Sequence, residues 1–317
     1  MKKKIGILLI LLSICLTGCG MQENRIRFGA AGVGGMYASF ANAYAGLVPE
    51  ENKWNVEVKR TAGSTANLRL LSNHYIELAI AQMDLIRDAY DGEGLFQDNA
   101  CKEYQAVAAL YPEACQIIVR KDSGITSIDD LQGKTVSVGE AESGTENNAT
   151  QILQVYGLTE LVKTEELNYT DAVKELEEGK IDAMFCTAGI RTLVLEELAN
   201  KCEVNWLSLE DKQIAKLKAV YPDYSEYVIP AGTYARQESE VKTVAVQAVL
   251  VVSDTMSTER VKELTKLFFE KKKDLQYATS LELPQDEASA VEGVSIPFHP
   301  GAAEYYAEHG VIVNSKG

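Results

Sequence analysis

Short apolar runs of strand type recur along the chain at Ile26–Phe28, Trp54–Val58, Leu78–Ile80, Ile117–Val119, Val136–Val138 and Ile181–Phe185, and helix-period segments lie between them. Tyr37, Phe40, Ala41, Tyr44 and Ala45 keep i, i+3, i+4, i+7, i+8 spacing, and Ala149, Ile152, Leu153 and Tyr156 keep its first four positions, so each set covers one helix face. Ile128 to Lys134 reads as a short helix closed by Gly133, and Asp171 to Gly179 as a helix with an acidic N-cap and a glycine stop. This alternation predicts an α/β protein built around parallel sheets. The length suits two domains, and with no Pro/Ser-rich linker or repeat between them, ordered crossover strands must join them. Apolar runs at Gln116–Arg120 and Val249–Val252 suit that role. They divide the chain into lobe one, residues 26–117 with 251–317, and lobe two, residues 118–250.

The first residues add a location. Lys2, Lys3 and Lys4 form a cationic start, Ile5 to Leu12 an apolar core, and Leu16-Thr17-Gly18-Cys19 a lipoprotein cleavage motif. The apolar stretch is shorter than the ~20 residues a membrane span needs. Residues 1–18 therefore read as a signal peptide and Cys19 as the lipidation site, which predicts an extracytoplasmic protein tethered to the cell membrane. Losing the three lysines takes the formal charge from −15 to −18, a surface that repels nucleic acid and anionic lipid. Cys101, Cys115, Cys186 and Cys202 remain in the mature chain. A local Cys101–Cys115 disulfide and free buried thiols are both compatible with the spacing. No CxxC motif or Cys/His cluster is present, so no metal and no cofactor are expected.

Three turns carry the candidate chemistry: Gly32 to Tyr37, Gly63 to Asn67, and Glu142 to Glu146, each running into a helix. A helix start presents unpaired N–H groups and the positive end of the macrodipole, and glycine lets an anion approach that backbone closely. One such end contributes only ~0.3–1 kcal/mol, whereas micromolar binding needs roughly 8. Directed bonds from Ser64, Thr65, Asn67, Ser143 and Thr145 must supply much of the rest. Ser143 and Glu146 also match the S-x-x-E capping box, which accounts for that turn without a ligand. The residues alone say "anion"; they do not say which.

The same segments resemble the TAXI-type solute receptors of TRAP transporters. Gly34-Gly35-Met36-Tyr37 is similar to that family's GGTYY turn, Gly63 to Leu71 to its GSVENLRLL segment, and Leu78 to Asp84 to its DLAIVQSD strand and loop. Leu110 to Glu113, Lys134 to Glu146, Gly179 to Gly189, Val228 to Tyr234, and Phe298 to Ala302 with Tyr305, Tyr306 and Gly310 follow in family order. The resemblance implies a two-lobed periplasmic-binding-protein fold that closes by a hinge on a small carboxylate such as glutamate, glutamine or a related oxo- or dicarboxylic acid. It also implies a monomer that hands this ligand to a TRAP permease. On the matched positions it implies a ligand role for Gly35, Met36, Tyr37, Gln82, Asp84, Tyr111, Gly144, Glu146 and Thr187. Met36 and Met83 stand where the family carries hydroxyls, so this cleft is expected to be less polar. Arg191, just after the Thr187-Ala188-Gly189 match, is a further departure. It is either a bidentate partner for a ligand carboxylate or a surface residue at the start of a helix from Thr192 to Leu198.

Enzyme signatures fail individually. Ser143 lacks the glycines of a nucleophile elbow, Tyr37 stands where a dinucleotide fingerprint needs its third glycine, and His74, His299 and His309 have no metal-ligand spacing. His299 reads as ordering the tail, and the other two histidines as surface residues. The protein is expected not to be an enzyme. A tethered receptor for a membrane kinase is the main alternative to transport, and an unrecognised enzyme a more remote one.

Overall fold

A computed structural model describes residues 24–49, 52 and 54–315; the signal peptide and Cys19 lie outside the described residues. Ten strands form one sheet: β1 (Arg25–Gly29), β2 (Asn55–Lys59), β3 (Leu78–Gln82), β4 (Tyr104–Arg120), β5 (Thr135–Ser137), β6 (Lys163–Glu165), β7 (Ala183–Ala188), β8 (Val204–Trp206), β9 (Ser225–Ile229) and β10 (Val241–Ser253). The order is β2-β1-β3-β10-β4-β7-β5-β6, with β8 added to β4 and β9 to β10. Pairing is parallel within β2-β1-β3 and β7-β5-β6, and antiparallel wherever β4 or β10 takes part.

The helices follow the parallel strands: α1 (Met36–Gly46), α2 (Ser64–Ser72), α3 (Met83–Asp91), α4 (Gly144–Tyr156), α5 (Tyr169–Glu177) and α6 (Leu193–Lys201). Beyond them come α7 (Asp211–Val220), α8 (Thr258–Glu270), α9 (Lys272–Thr279) and α10 (Pro300–Glu308). The mixed α/β fold is as expected, and the two spaced sets mark α1 and the apolar face of α4. Three local expectations are corrected. The N-cap of α5 is Asn168, whose side chain accepts from the Asp171 N–H, because an amide oxygen three residues back is better placed than an acid already inside the turn. Ile128 to Lys134 forms only a 3₁₀ turn at Asp129–Leu131, since two acids and an early glycine leave nothing to propagate a helix. The strand expected at Ile117–Val119 is the end of a 17-residue strand.

β4 and β10 are the connection between two halves. Residues 104–109 of β4 pair with 249–253 of β10 in the first half, and residues 114–119 pair with β7 in the second. Pro112 and a register shift between Gln247 and Val249 fall at the crossing, where proline removes a ladder donor. One apolar cluster fills the first half, with Phe28, Phe40, Tyr44 and Phe268 at its centre, and continues onto one face of the second-half sheet. A separate cluster covers the other face, around Ile117, Val136, Ile152 and Phe185. All four described cysteines are free thiols, three of them buried, which decides between the two readings left open. Among the described residues, no helix is long and apolar enough to cross a membrane.

Candidate functional site

The carboxyl ends of the parallel strands in both halves open on one cavity of about 60 Å³, room for a few waters in this arrangement of the halves. This is where open α/β sheets place ligands. The turn after β1 contributes Gly35, Met36 and Tyr37; the turn after β2 contributes Gly63 and Ser64; and β3 ends at Gln82. From the second half come Ser143, Gly144 and Thr145 after β5, Asn168 and Tyr169 after β6, and Thr187 at the end of β7.

Glycine permits the halves to meet. Gly63 has φ +139 and ψ −146, and a Cβ there would press on Ser143 Cα at 3.2 Å. A Cβ on Gly144 would overlap the Gln82 amide oxygen. The N–H of Ala66, in the first turn of α2, donates to Glu142 O across the seam at 3.2 Å, and Arg69 pairs with the Glu142 carboxylate. One of the free N–H groups attributed to the α2 start is therefore already taken by protein.

Two hydroxyl networks line the cavity. Gln82 N donates to Ser64 Oγ at 3.2 Å, Ser64 donates to the Tyr37 hydroxyl at 3.2 Å, and Tyr37 donates to Glu113 Oε2 at 2.8 Å. Burial pushes Glu113 up to about 8, and the bonds from Tyr37 and Gln82 oppose this. On the second-half side Tyr169 donates to Thr187 O at 2.9 Å, Thr145 donates to Tyr169 at 2.6 Å, and Thr187 N donates to Thr145 Oγ1 at 3.1 Å. Burial raises the Tyr169 phenol well above its ordinary range, so it stays a neutral donor. Ser143 caps α4 by accepting from Glu146 N at 3.0 Å, while Glu146 accepts from Glu142 N at 2.7 Å. The capping reading of that turn is realised, and Ser143, Gly144 and Thr145 line the cavity as well.

Of the sequence-derived candidates, Gly35, Met36, Tyr37, Ser64, Gln82, Ser143, Gly144, Thr145 and Thr187 come together in the wall. Thr65, Asn67, Asp84, Tyr111, Glu146 and Arg191 do not. Asn67 donates to Ile80 O at 2.9 Å and accepts from Thr61. Asp84 accepts from Asn147 and Asn148 across the seam, and burial raises it to about 7. Tyr111 is buried beside Gly189, and Arg191 is exposed. Glu113 and Tyr169 were not anticipated. Glu113 lay within the matched Leu110 to Glu113 segment, but Pro112 beside it concealed the strand. Tyr169 follows the N-cap Asn168, three residues before the acid at which the sequence pattern starts that helix.

Two halves joined by crossing strands, with a cavity in their seam at the strand ends, define the two-lobed periplasmic-binding-protein fold. Solved structures of that fold superpose with low identity. An ancestral arginine-binding protein bound to arginine matches at 17% identity over 81% of this chain and 97% of its own, TM-score 0.50. The arginine-, lysine-, histidine-binding protein ArtJ from Geobacillus stearothermophilus matches at 14% identity over 82% and 97%, TM-score 0.50. The periplasmic aliphatic sulphonate binding protein SsuA from Escherichia coli matches at 15% over 82% and 80%, TM-score 0.45. Across residues 28–310 the chain matches the NMT1-like family model, and it belongs to that family.

Proposed function

We propose that this protein is an extracytoplasmic solute receptor of the TAXI type, anchored through a lipidated Cys19, which closes as a monomer on a small carboxylate and delivers it to a TRAP permease without chemical turnover. The observation that carries the reading is the convergence of all three glycine- and hydroxyl-bearing turns on one cavity between the halves. Gly144 and Thr145 bring the first N–H groups of α4 to that wall, and Met36 and Tyr37 bring those of α1. A carboxylate placed between them meets both positive helix ends. Arginine-, lysine- and histidine-binding proteins share the fold, and each of those amino acids carries a carboxylate. Closure is a bend in the two crossing strands. The register supports pivots between Ala109 and Ala114 of β4 and between Ala245 and Ala248 of β10, a few residues before the lobe limits expected from the apolar runs.

A thermal-shift screen of organic acids and amino acids on protein lacking residues 1–19 tests this. A ligand at ~100 times its dissociation constant should stabilise by ~2.7 kcal/mol. A screen in which only uncharged or cationic compounds raise the melting temperature would refute the carboxylate reading.

A further inference from the structure

Glu113 belongs to none of the three turns, yet it stands in the cavity wall and is only 2% exposed. Tyr37 donates to it at 2.8 Å, and the Gln82 side chain also bonds it. The other titratable groups around it are Tyr111, Tyr169, Cys115, Cys186 and Asp84, with Glu140 further along the wall. None of these is a cation, and among the described residues no Lys, Arg or His lines the cavity. Gln82 Oε1, another acceptor in the same wall, is buried with no protein partner among the described residues.

Two neutral donors aimed at one carboxyl favour its ionised form, whereas burial without a cation opposes it. A positively charged donor in the cavity would satisfy the carboxylate. An oxo acid or a second carboxylate would not, because each brings another acceptor to a wall already rich in acceptors. We infer that Glu113, with Gln82 Oε1 beside it, is a subsite for a protonated amine on the ligand, so that the receptor selects amino-bearing acids over the matching oxo- and dicarboxylic acids. This rests on the solute-receptor reading and narrows its ligand class.

The inference has a proton balance. In the free protein burial holds Glu113 up to about 8, so near pH 7 the group is mostly protonated. Pairing with an ammonium needs the carboxylate; the proton leaves Glu113 for the buffer, and the ligand enters with its amine already protonated. Affinity therefore rises with pH until it levels above about 8. The opposite arrangement, a protonated Glu113 donating to a ligand carboxylate, releases no proton and loses affinity as pH rises.

Titration calorimetry on the whole chain in mild detergent separates the two. The probes are L-glutamate, 2-oxoglutarate and glutarate, and L-alanine, pyruvate and propionate, each in two buffers of different ionisation enthalpy at pH 7. The amino acid of at least one set should bind roughly 10- to 100-fold tighter than its relatives, as for a hydrogen bond to a charged group, and should release a proton. Glu113→Gln should abolish both the preference and the proton release; if that variant does not fold, the buffer dependence and pH profile of the parent decide. Equal or tighter binding of the oxo- or dicarboxylic acids, or proton uptake, overturns the inference and leaves the carboxylate receptor standing. Binding of none of the six overturns the receptor reading together with the inference.

Discussion

Asn67 ties three segments together: its amide donates to Gly29 O and Ile80 O, and its oxygen accepts from Thr61. It is fully buried and outside the cavity wall. Asn67→Ala should therefore cost about 1–3 kcal/mol of folding stability by stranding buried partners, measured by urea denaturation, with ligand affinity little changed. Loss of affinity at unchanged stability would place Asn67 back at the ligand. Arg191 is the reverse case. It is exposed, and its backbone N–H donates to the Tyr234 hydroxyl at 3.1 Å, so Arg191→Gln should leave affinity within error by calorimetry. A tenfold loss would show that the guanidinium swings into the site. Both residues stand beside glycine-bearing segments matched to one family, and sequence offers no way to tell which side chains on such a segment face inward. Asn67 was singled out for its amide, and the backbone carbonyls that amide serves are set by tertiary packing.

At the scale of elements, the start of α4 is the tightest point between the halves. A Cβ on Gly144 would overlap Gln82 Oε1 across the seam, so an added methyl there disfavours this close approach of the halves. Gly144→Ala should bind ligand at least ~10-fold more weakly, the effect of about 1.4 kcal/mol, while its ligand-free melting temperature stays level or rises from the better helix former. A variant that binds normally would mean that Gln82 turns aside at no cost. The tail helix α10 carries a different dependence. His299 caps it, with Nδ1 accepting from Gly301 N at 3.1 Å and Nε2 donating to Met256 O at 3.0 Å. The sequence reading that His299 orders the tail is realised in these bonds. Burial lowers its pKa from the ordinary 6.5, so below that pH the unfolded chain binds the proton more readily and stability must fall as pH falls. Compared with His299→Asn, which keeps an N-cap acceptor, the parent should lose stability from about pH 6.5 downward; parallel denaturation curves would contradict this. Helix faces and strand runs were legible where the apolar period was clean, as in α1 and β1. The length of β4 was not, because Pro112 and Glu113 interrupt its apolar pattern and their places are decided by the crossing.

For the whole molecule, the seam is held by groups from both halves. Arg69 pairs with Glu142, Arg87 with Asp223, and Asp84 accepts from Asn147 and Asn148. These bonds surround a cavity that neither half encloses alone. The alternation of strands and helices made the fold class legible, and the three turns pointed to the site because glycine before a helix is a local signal. Glu113 escaped because its role depends on burial, which appears only when the sheet forms. The central claim is that one ligand is held by both halves at once. Hydrogen exchange with and without the strongest stabiliser from the acid and amino-acid screen tests it most directly. The account predicts simultaneous protection of amides at 32–37 and 63–66 in the first half and at 143–146 in the second. Protection confined to one half, or found only away from these turns, would contradict it.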